Sequence, residues 1–167
     1  DAIIVPVLHD LAREEATGKA ESPQAITLLL ATAAQETHLG RYLLQVGTDS
    51  TNRALGIYGM EPNTINDLYT TYLREGTSTK RVILLRWVEH WKSGRMNRLQ
   101  AVVGNLFYAT ALCRLHYWRF SDPIPEDLPG IFRYYKKYWN SMLGKATWEQ
   151  FERNYYIYVT PQTRRKS

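Results

Sequence analysis

Apolar residues recur three and four positions apart along most of this chain, as they do on the buried face of an α-helix. One such pattern begins where the capping residue Ser22 is followed by Pro23 at the first helical position. Others follow Pro62, span 82–91 and fill 99–118. The residues predicted to face inward include Ile4, Val7, Leu8 and Leu11, then Ile26, Leu29, Leu30 and Ala33, then Ile65, Leu68, Tyr69 and Tyr72, and finally Val82, Leu85, Val88 and Trp91.

The longest apolar segment runs from Leu99 to Trp118 and is predicted to be one central helix. A helix over 128–139 follows, and Thr147 begins a capping box for a short final helix. Residues 40–60 are rich in Gly, Thr, Ser and Asn, so they allow at most a short β-ribbon. The chain shows no repeat and no linker, and the pattern therefore predicts a single, mostly α domain over residues 1–167.

The composition is typical of a folded, globular protein, and the net charge is positive. The chain is 44% hydrophobic and 13% aromatic, and its formal net charge is +5. The charge favours polyanionic partners, among them nucleic acid, anionic lipid surfaces and bacterial cell walls, and the many aromatic rings favour a glycan or a nucleic acid. A basic surface with no such partner is the alternative.

Several classes of site and location find no support in the sequence. The single cysteine, Cys113, excludes an internal disulfide and lies in an apolar stretch typical of a core. His90 and His116 have no Cys or acid at ligand spacing, so no metal and no cofactor are predicted. No apolar run approaches the ~18 residues of a membrane span, and no signal peptide is recognisable, although the start at Asp1 leaves a trimmed leader open.

Glu36 is the residue whose position implies the most chemistry. It ends the apolar helical run that begins at Ala25. Because the last carbonyls of a helix disfavour negative charge, a carboxyl there has a raised pKa, which a general acid needs near neutral pH. The alternative is a solvated glutamate at a frayed helix end.

The residues around Glu36 resemble a known catalytic motif. Residues 35–40, Gln-Glu-Thr-His-Leu-Gly, resemble the acid motif of goose-type lysozymes and soluble lytic transglycosylases. Residues 54–64 resemble the second motif of that superfamily, and the spacing between Glu36 and Gly56 is similar to the goose-type spacing. The matching positions of the two segments are His38, Gly40, Ala54, Gly56, Pro62 and Thr64.

This resemblance implies a lysozyme-like fold and cleavage of the MurNAc–GlcNAc β-1,4 bond of bacterial peptidoglycan. Glu36 would protonate the glycosidic oxygen. Asp49 and Glu61 occupy the positions of two family aspartates and would orient water or stabilise the oxocarbenium-like transition state. Hydrolysis needs such a second carboxylate, whereas a transglycosylase uses the 6-hydroxyl of the sugar, so both reactions stay open.

Two departures from the family pattern concern the predicted substrate contacts, which are Tyr58, Gly59, Tyr134 and Tyr135. Gly59 replaces a glutamine of the family, and the third motif, Ala-Tyr-Asn-Ala-Gly, is not present literally. Tyr135 is its best counterpart and Tyr134 the second, with Lys136 in place of the asparagine. We expect the Tyr135 hydroxyl to lie within hydrogen-bonding reach of Glu36 or of a bound sugar.

The resemblance also implies a partner and a place of action. The partner is the glycan strand of peptidoglycan, which the protein would reach outside the cell or in the periplasm. By analogy with catalytic domains of phage virion proteins, contacts with other virion proteins stay open as a further expectation. The alternative function is a lysozyme-fold module that binds glycan or builds a virion without cleaving, which Gly59 and Lys136 favour. Nucleic-acid binding rests only on charge and aromatic content and is not expected.

Overall fold

The computed structural model of the chain describes residues 2–15, 20–43, 53–74, 79–92, 94–140 and 144–160. These residues are mostly helical, which confirms the predicted class. The helices are α1 (Ile4–Glu15), α2 (Pro23–Thr37), α3 (Pro62–Asp67), α4 (Thr79–Lys92), α5 (Arg98–Gly104), α6 (Leu106–Trp118), α7 (Leu128–Tyr135) and α8 (Trp148–Tyr158). Two π-helical turns, Leu68–Tyr72 and Lys136–Asn140, continue α3 and α7.

Helix α6 lies at the centre of the core. Every residue from Tyr108 to Tyr117 is buried, because α6 packs against α1, α2, α4 and α5. A helix that is apolar on all sides needs such surroundings. Cys113 is fully buried, as its sequence context predicted, and the fully buried Leu112 and Leu115 each contribute about 2 kcal/mol of hydrophobic stabilisation.

The prediction of one helix over Leu99–Trp118 is wrong, because the chain breaks at Asn105. Asn105 has an extended backbone, with φ −126° and ψ 102°, and its Oδ1 caps α6 by accepting from the Tyr108 N–H at 3.1 Å. Its Nδ2 donates to the carbonyl oxygen of Trp91 at 2.9 Å, near the end of α4. A short amide side chain that satisfies backbone groups in this way favours a helix start over a helix interior.

The buried face of α4 also differs from the prediction. Val82 and Leu85 are exposed to 49% and 38%, whereas Leu84, Trp87 and Val88 are buried. Both faces contain Val88. Leu85, three residues before it, belongs to the predicted face, and Leu84, four residues before it, belongs to the observed face; both are apolar. A helical period alone does not choose between two such overlapping faces.

The predicted β-ribbon is reduced to one bridge in the described part of residues 40–60. Leu55 and Met60 form two antiparallel hydrogen bonds, of 3.0 and 2.9 Å, around a tight turn. Gly56 in this turn has a φ of +69°, and a Cβ atom there would lie 2.2 Å from the carbonyl oxygen of Val102 in α5. The turn therefore packs its backbone directly against α5.

Replacing Gly56 by alanine is expected to destabilise the protein by ~3 kcal/mol or more, from a disfavoured φ and a backbone clash. Gly94→Ala is the matched control, since Gly94 has a similar φ of +73° but no described heavy atom within 4 Å of the added Cβ. It should cost only about 1–2 kcal/mol. Denaturant unfolding of both variants measures the difference, and equal losses would contradict the close approach to Val102.

Across the described residues, none of the helices combines the length and apolarity needed to cross a lipid bilayer.

Candidate active site

Glu36 lies in the last turn of α2, where the chain leaves the helix through two left-handed residues. His38 and Leu39 have φ values of 54° and 57°, and their N–H groups donate to carbonyls of the preceding turn. The His38 ring stacks on the Tyr158 ring of α8 with the centroids 4.8 Å apart, which fixes the end of α2 against α8. Two consecutive non-glycine residues in this conformation are strained, which is typical of a functional site.

Thr37 fixes the turn that contains the second motif to the end of α2. Its hydroxyl donates to the carbonyl of Ile57 at 2.5 Å, and its oxygen also lies 3.2 Å from the carbonyl oxygen of Ala33. The same oxygen accepts from the N–H of Gly40 at 2.9 Å. A buried hydroxyl at this position therefore sets the distance between Glu36 and residues 56–59.

Gly59 packs its backbone against the side chain of Glu36. It has a φ of +58°, and a Cβ there would lie 3.2 Å from both Cβ and Oε2 of Glu36. The sequence marked this glycine as the loss of a sugar-contacting side chain. The structure adds a second role, since the absence of a side chain leaves room for the carboxyl group of Glu36.

Tyr135 holds the Glu36 carboxyl from the opposite side. Its hydroxyl, carried on the last turn of α7, donates to Oε1 of Glu36 at 2.6 Å, as the sequence predicted. Tyr134 points elsewhere, because neighbouring helical residues diverge by about 100°. Its hydroxyl donates to the carbonyl of Asp122 at 3.3 Å, so the second candidate of the third motif does not reach Glu36.

Burial raises the pKa of Glu36 from its ordinary value of 4.5 to about 7. The negative charge of Glu61 raises this pKa further, and the hydrogen bond from Tyr135, which stabilises the carboxylate, lowers it. The direction is the one the sequence predicted, but the leading cause is burial and not the helix end. At neutral pH a substantial fraction of Glu36 is therefore protonated.

A cavity of about 340 Å³ opens beside Glu36. Glu36 and residues of the second motif line this cavity together, as the sequence predicted. Three further lining residues, His116, Trp139 and Asn140, were not indicated as site residues by the sequence. The lining consists of Glu36, Ala54, Gly59, Met60, Glu61, Thr64, His116, Trp139 and Asn140.

Glu61 supplies a second carboxyl group to this cavity. It is the N-cap residue of α3, with an exposed side chain and φ −74°. Its negative charge is the smallest of the three influences on the pKa of Glu36, and it raises that pKa. Asp49, the other predicted partner of Glu36, lies outside the described residues.

His116 stabilises the wall of the cavity in its uncharged form. Its Nε2 lies 2.7 Å from the carbonyl oxygen of Tyr138, which assigns the ring proton to Nε2, and its ring packs edge-on against Trp139. Burial lowers the pKa of His116 to about 4, so the ring is neutral at pH 7. Within the described ranges, no cluster of His, Cys, Asp and Glu suited to a metal ion is found.

The π-helical turn Lys136–Asn140 explains how Trp139 and Asn140 enter the cavity. The predicted α-helix over 128–139 is wrong in its last turn, since regular α-helix ends at Tyr135. The Lys136 ammonium donates to Oδ1 of Asn140 at 2.8 Å and to the carbonyl of Gly144 at 2.7 Å. Wider turns of this kind re-aim side chains and are frequent at functional sites.

The predicted substrate contact through Tyr58 needs correction. Its ring is 3% exposed and its hydroxyl is 3.0 Å from the hydroxyl of Thr110 in α6. Tyr58 therefore packs in the core, away from the cavity, because α6 offers both an apolar surface and a hydrogen-bond partner.

Tyr135→Phe tests the contact that orients Glu36. Loss of the hydroxyl should raise the pKa of Glu36 above 7, because that hydrogen bond lowers it, and should slow about 10-fold a reaction in which Glu36 is the general acid. The measurement is a pH–rate profile, in which the alkaline limb should move to higher pH. Tyr134→Phe is the matched control and should leave the profile unchanged. A profile altered by Tyr134→Phe alone would contradict the assignment.

Comparison of the chain with models of known protein families, with curated proteins and with solved structures finds no match. The resemblance to goose-type lysozymes therefore stays a prediction from the sequence motifs.

Proposed function

We propose that this protein cleaves the β-1,4 bond between MurNAc and GlcNAc in bacterial peptidoglycan, with Glu36 as the general acid. The observation that carries the proposal is a glutamate of pKa about 7, held by the Tyr135 hydroxyl at the wall of a cavity. A carboxyl that is protonated near neutral pH and fixed in one orientation is what protonation of a leaving oxygen requires.

Glu61 takes the second role in this proposal. Burial is the main reason that Glu36 holds its proton before the reaction, and the negative charge of Glu61 adds a smaller rise to the pKa of Glu36. As the glycosidic bond breaks, the sugar ring acquires positive charge, which a nearby carboxylate stabilises, and the same group is able to accept a proton from attacking water. We favour hydrolysis because two acids share the cavity.

The remaining lining suits a sugar. Trp139 offers an aromatic surface on which a sugar ring packs, and Asn140 offers an amide that bonds hydroxyl or acetamido groups. The net charge of +5 favours association with the anionic bacterial wall.

Wall clearing by the purified protein tests the proposal. The optical density of a suspension of purified peptidoglycan should fall with time, and the rate should decline as pH rises through about 7, because Glu36 then loses its proton. A folded protein that binds the wall at every pH without clearing it would overturn the proposal and support the glycan-binding alternative.

A further inference from the structure

A second cavity, of about 450 Å³, lies between the beginning of α2 and the end of α6. None of its described lining residues belongs to the cavity beside Glu36. Its wall contains the side chains of Arg114 and Trp118 from α6, Lys80 from α4 and Asp122 from the loop before α7.

Arg114 is a buried cation for which the described residues supply no acidic partner. Arg114 is only 4% exposed, yet no carboxylate of the described residues forms an ion pair with its guanidinium. Its Nε donates one long hydrogen bond, 3.4 Å, to the carbonyl of Ala20, and its guanidinium lies over the Trp118 ring at 4.6 Å. Burial lowers its pKa to about 10, so it stays charged at pH 7. A buried charge is costly unless an opposite charge compensates it.

Asp122, the acid among the described lining residues of this cavity, forms its hydrogen bonds elsewhere. The Asp122 carboxylate accepts from the ammonium of Lys137 at 2.7 Å and from the hydroxyl of Tyr138. Both partners lie outside the lining of the cavity. Among the described residues, Asp122 therefore forms its ion pair with Lys137 and none with Arg114.

Two further positive groups converge on the same space. The exposed Lys80 places its ammonium 5.6 Å from the Trp118 ring that Arg114 also covers. Ser22 and Gln24, at the start of the 15-residue helix α2, line the cavity as well, so the positive end of that helix dipole faces it. The start of α2 adds to the positive potential of the cavity, and Lys80 contributes a cationic side chain to its lining.

We propose that this cavity binds an oxyanion, a carboxylate or a phosphate monoester, carried on a small ring-containing or apolar group. The guanidinium of Arg114 has donors that match a carboxylate or a phosphate, and Lys80 adds a second cation at the rim. The rings of Trp118 and Tyr134 form the apolar wall against which the rest of the ligand packs. This proposal does not depend on the reaction at Glu36.

Calorimetric titration with two aromatic probes tests the site. Phenyl phosphate presents a phosphate, N-acetylphenylalanine presents a carboxylate, and N-acetylphenylalanine amide is the neutral control. We expect saturable binding of at least one of the two anions and none of the amide, and the preferred anion identifies the ligand chemistry. The indole N–H resonance of Trp118 should shift on binding.

Arg114→Met and Lys80→Gln assign the binding to this cavity. Arg114→Met should weaken binding at least about 10-fold, and Lys80→Gln about 3-fold at low salt. Lys145→Gln, which removes the same charge from an exposed position outside the cavity, should leave the affinity unchanged.

Arg114→Met should melt within about 5 °C of the parent protein, since an apolar side chain replaces a buried unpaired ion. If it does not fold, Lys80→Gln against Lys145→Gln decides alone. Absence of saturable binding of both anions, or equal affinity in the parent and in Lys80→Gln, would overturn the proposal.

Discussion

Glu36→Gln should lower the rate of wall clearing by about 10²-fold or more, because the amide keeps the shape of the carboxyl but has no proton to give to the glycosidic oxygen. The measurement is the initial clearing rate at pH 6, where the parent protein holds Glu36 mostly protonated. Glu126→Gln, an exposed glutamate in the loop before α7, is the matched control and should clear at the parental rate.

The same variant should not lose stability. Glu36 has a folded-state pKa of about 7 against an ordinary value of 4.5, so its contribution is most favourable below pH 4.5 and is lost as pH rises to about 7. Above that range the parent protein carries a destabilising buried charge that glutamine lacks. Denaturant unfolding at pH 8 should therefore find Glu36→Gln as stable as the parent or more stable. A folded Glu36→Gln protein that clears at the parental rate would remove Glu36 from the mechanism.

Glu61→Gln should change both the pH profile and the maximal rate. Loss of the negative charge lowers the pKa of Glu36, so the alkaline limb should move to lower pH. If Glu61 activates water, the rate at the optimum should also fall by about 10²-fold. The pH dependence of kcat/KM on soluble glycan fragments measures both effects.

The two effects separate the possible reactions. A shifted limb with a nearly parental maximal rate would indicate that the 6-hydroxyl of the sugar attacks, as in a transglycosylase, and that no carboxylate base is needed. Asp49→Asn is the comparison variant, because Asp49 is the other acid that the sequence nominates. A Glu61→Gln profile identical to the parental one would exclude Glu61 from the site.

The helix starts and the central acid were predictable because their signals are local. Ser22 accepts from the N–H of Ala25, and Thr147 forms a complete capping box with Gln150, as their spacings predicted. Burial of the helix that carries Glu36 follows from its apolar run. The contact between Glu36 and Tyr135 was not predictable from local signals alone. Its prediction used the order of the family motifs along the chain, which places a tyrosine of α7 opposite the end of α2.

The rest of the site depends on packing that the sequence does not display. Asn105 sits inside a continuous apolar pattern, and packing fixes it as a cap through its hydrogen bond to the Trp91 carbonyl near the end of α4. Trp139 and Asn140 reach the cavity through a π-helical turn, which no residue type in that segment signals. His116 looks like an interior helical residue, and its role follows from its contact with the carbonyl of Tyr138 in that same turn.

Mass spectrometry of the fragments released from purified peptidoglycan is the most direct test of the claim that Glu36 cleaves the glycan. The parent protein should release disaccharide peptides that end in a reducing MurNAc, and Glu36→Gln should release almost none. Fragments one water lighter, with an anhydro end, would retain Glu36 as the acid and replace water by the 6-hydroxyl as the nucleophile. Release of free peptides without cut glycan, or no release by the folded parent protein, would contradict the claim.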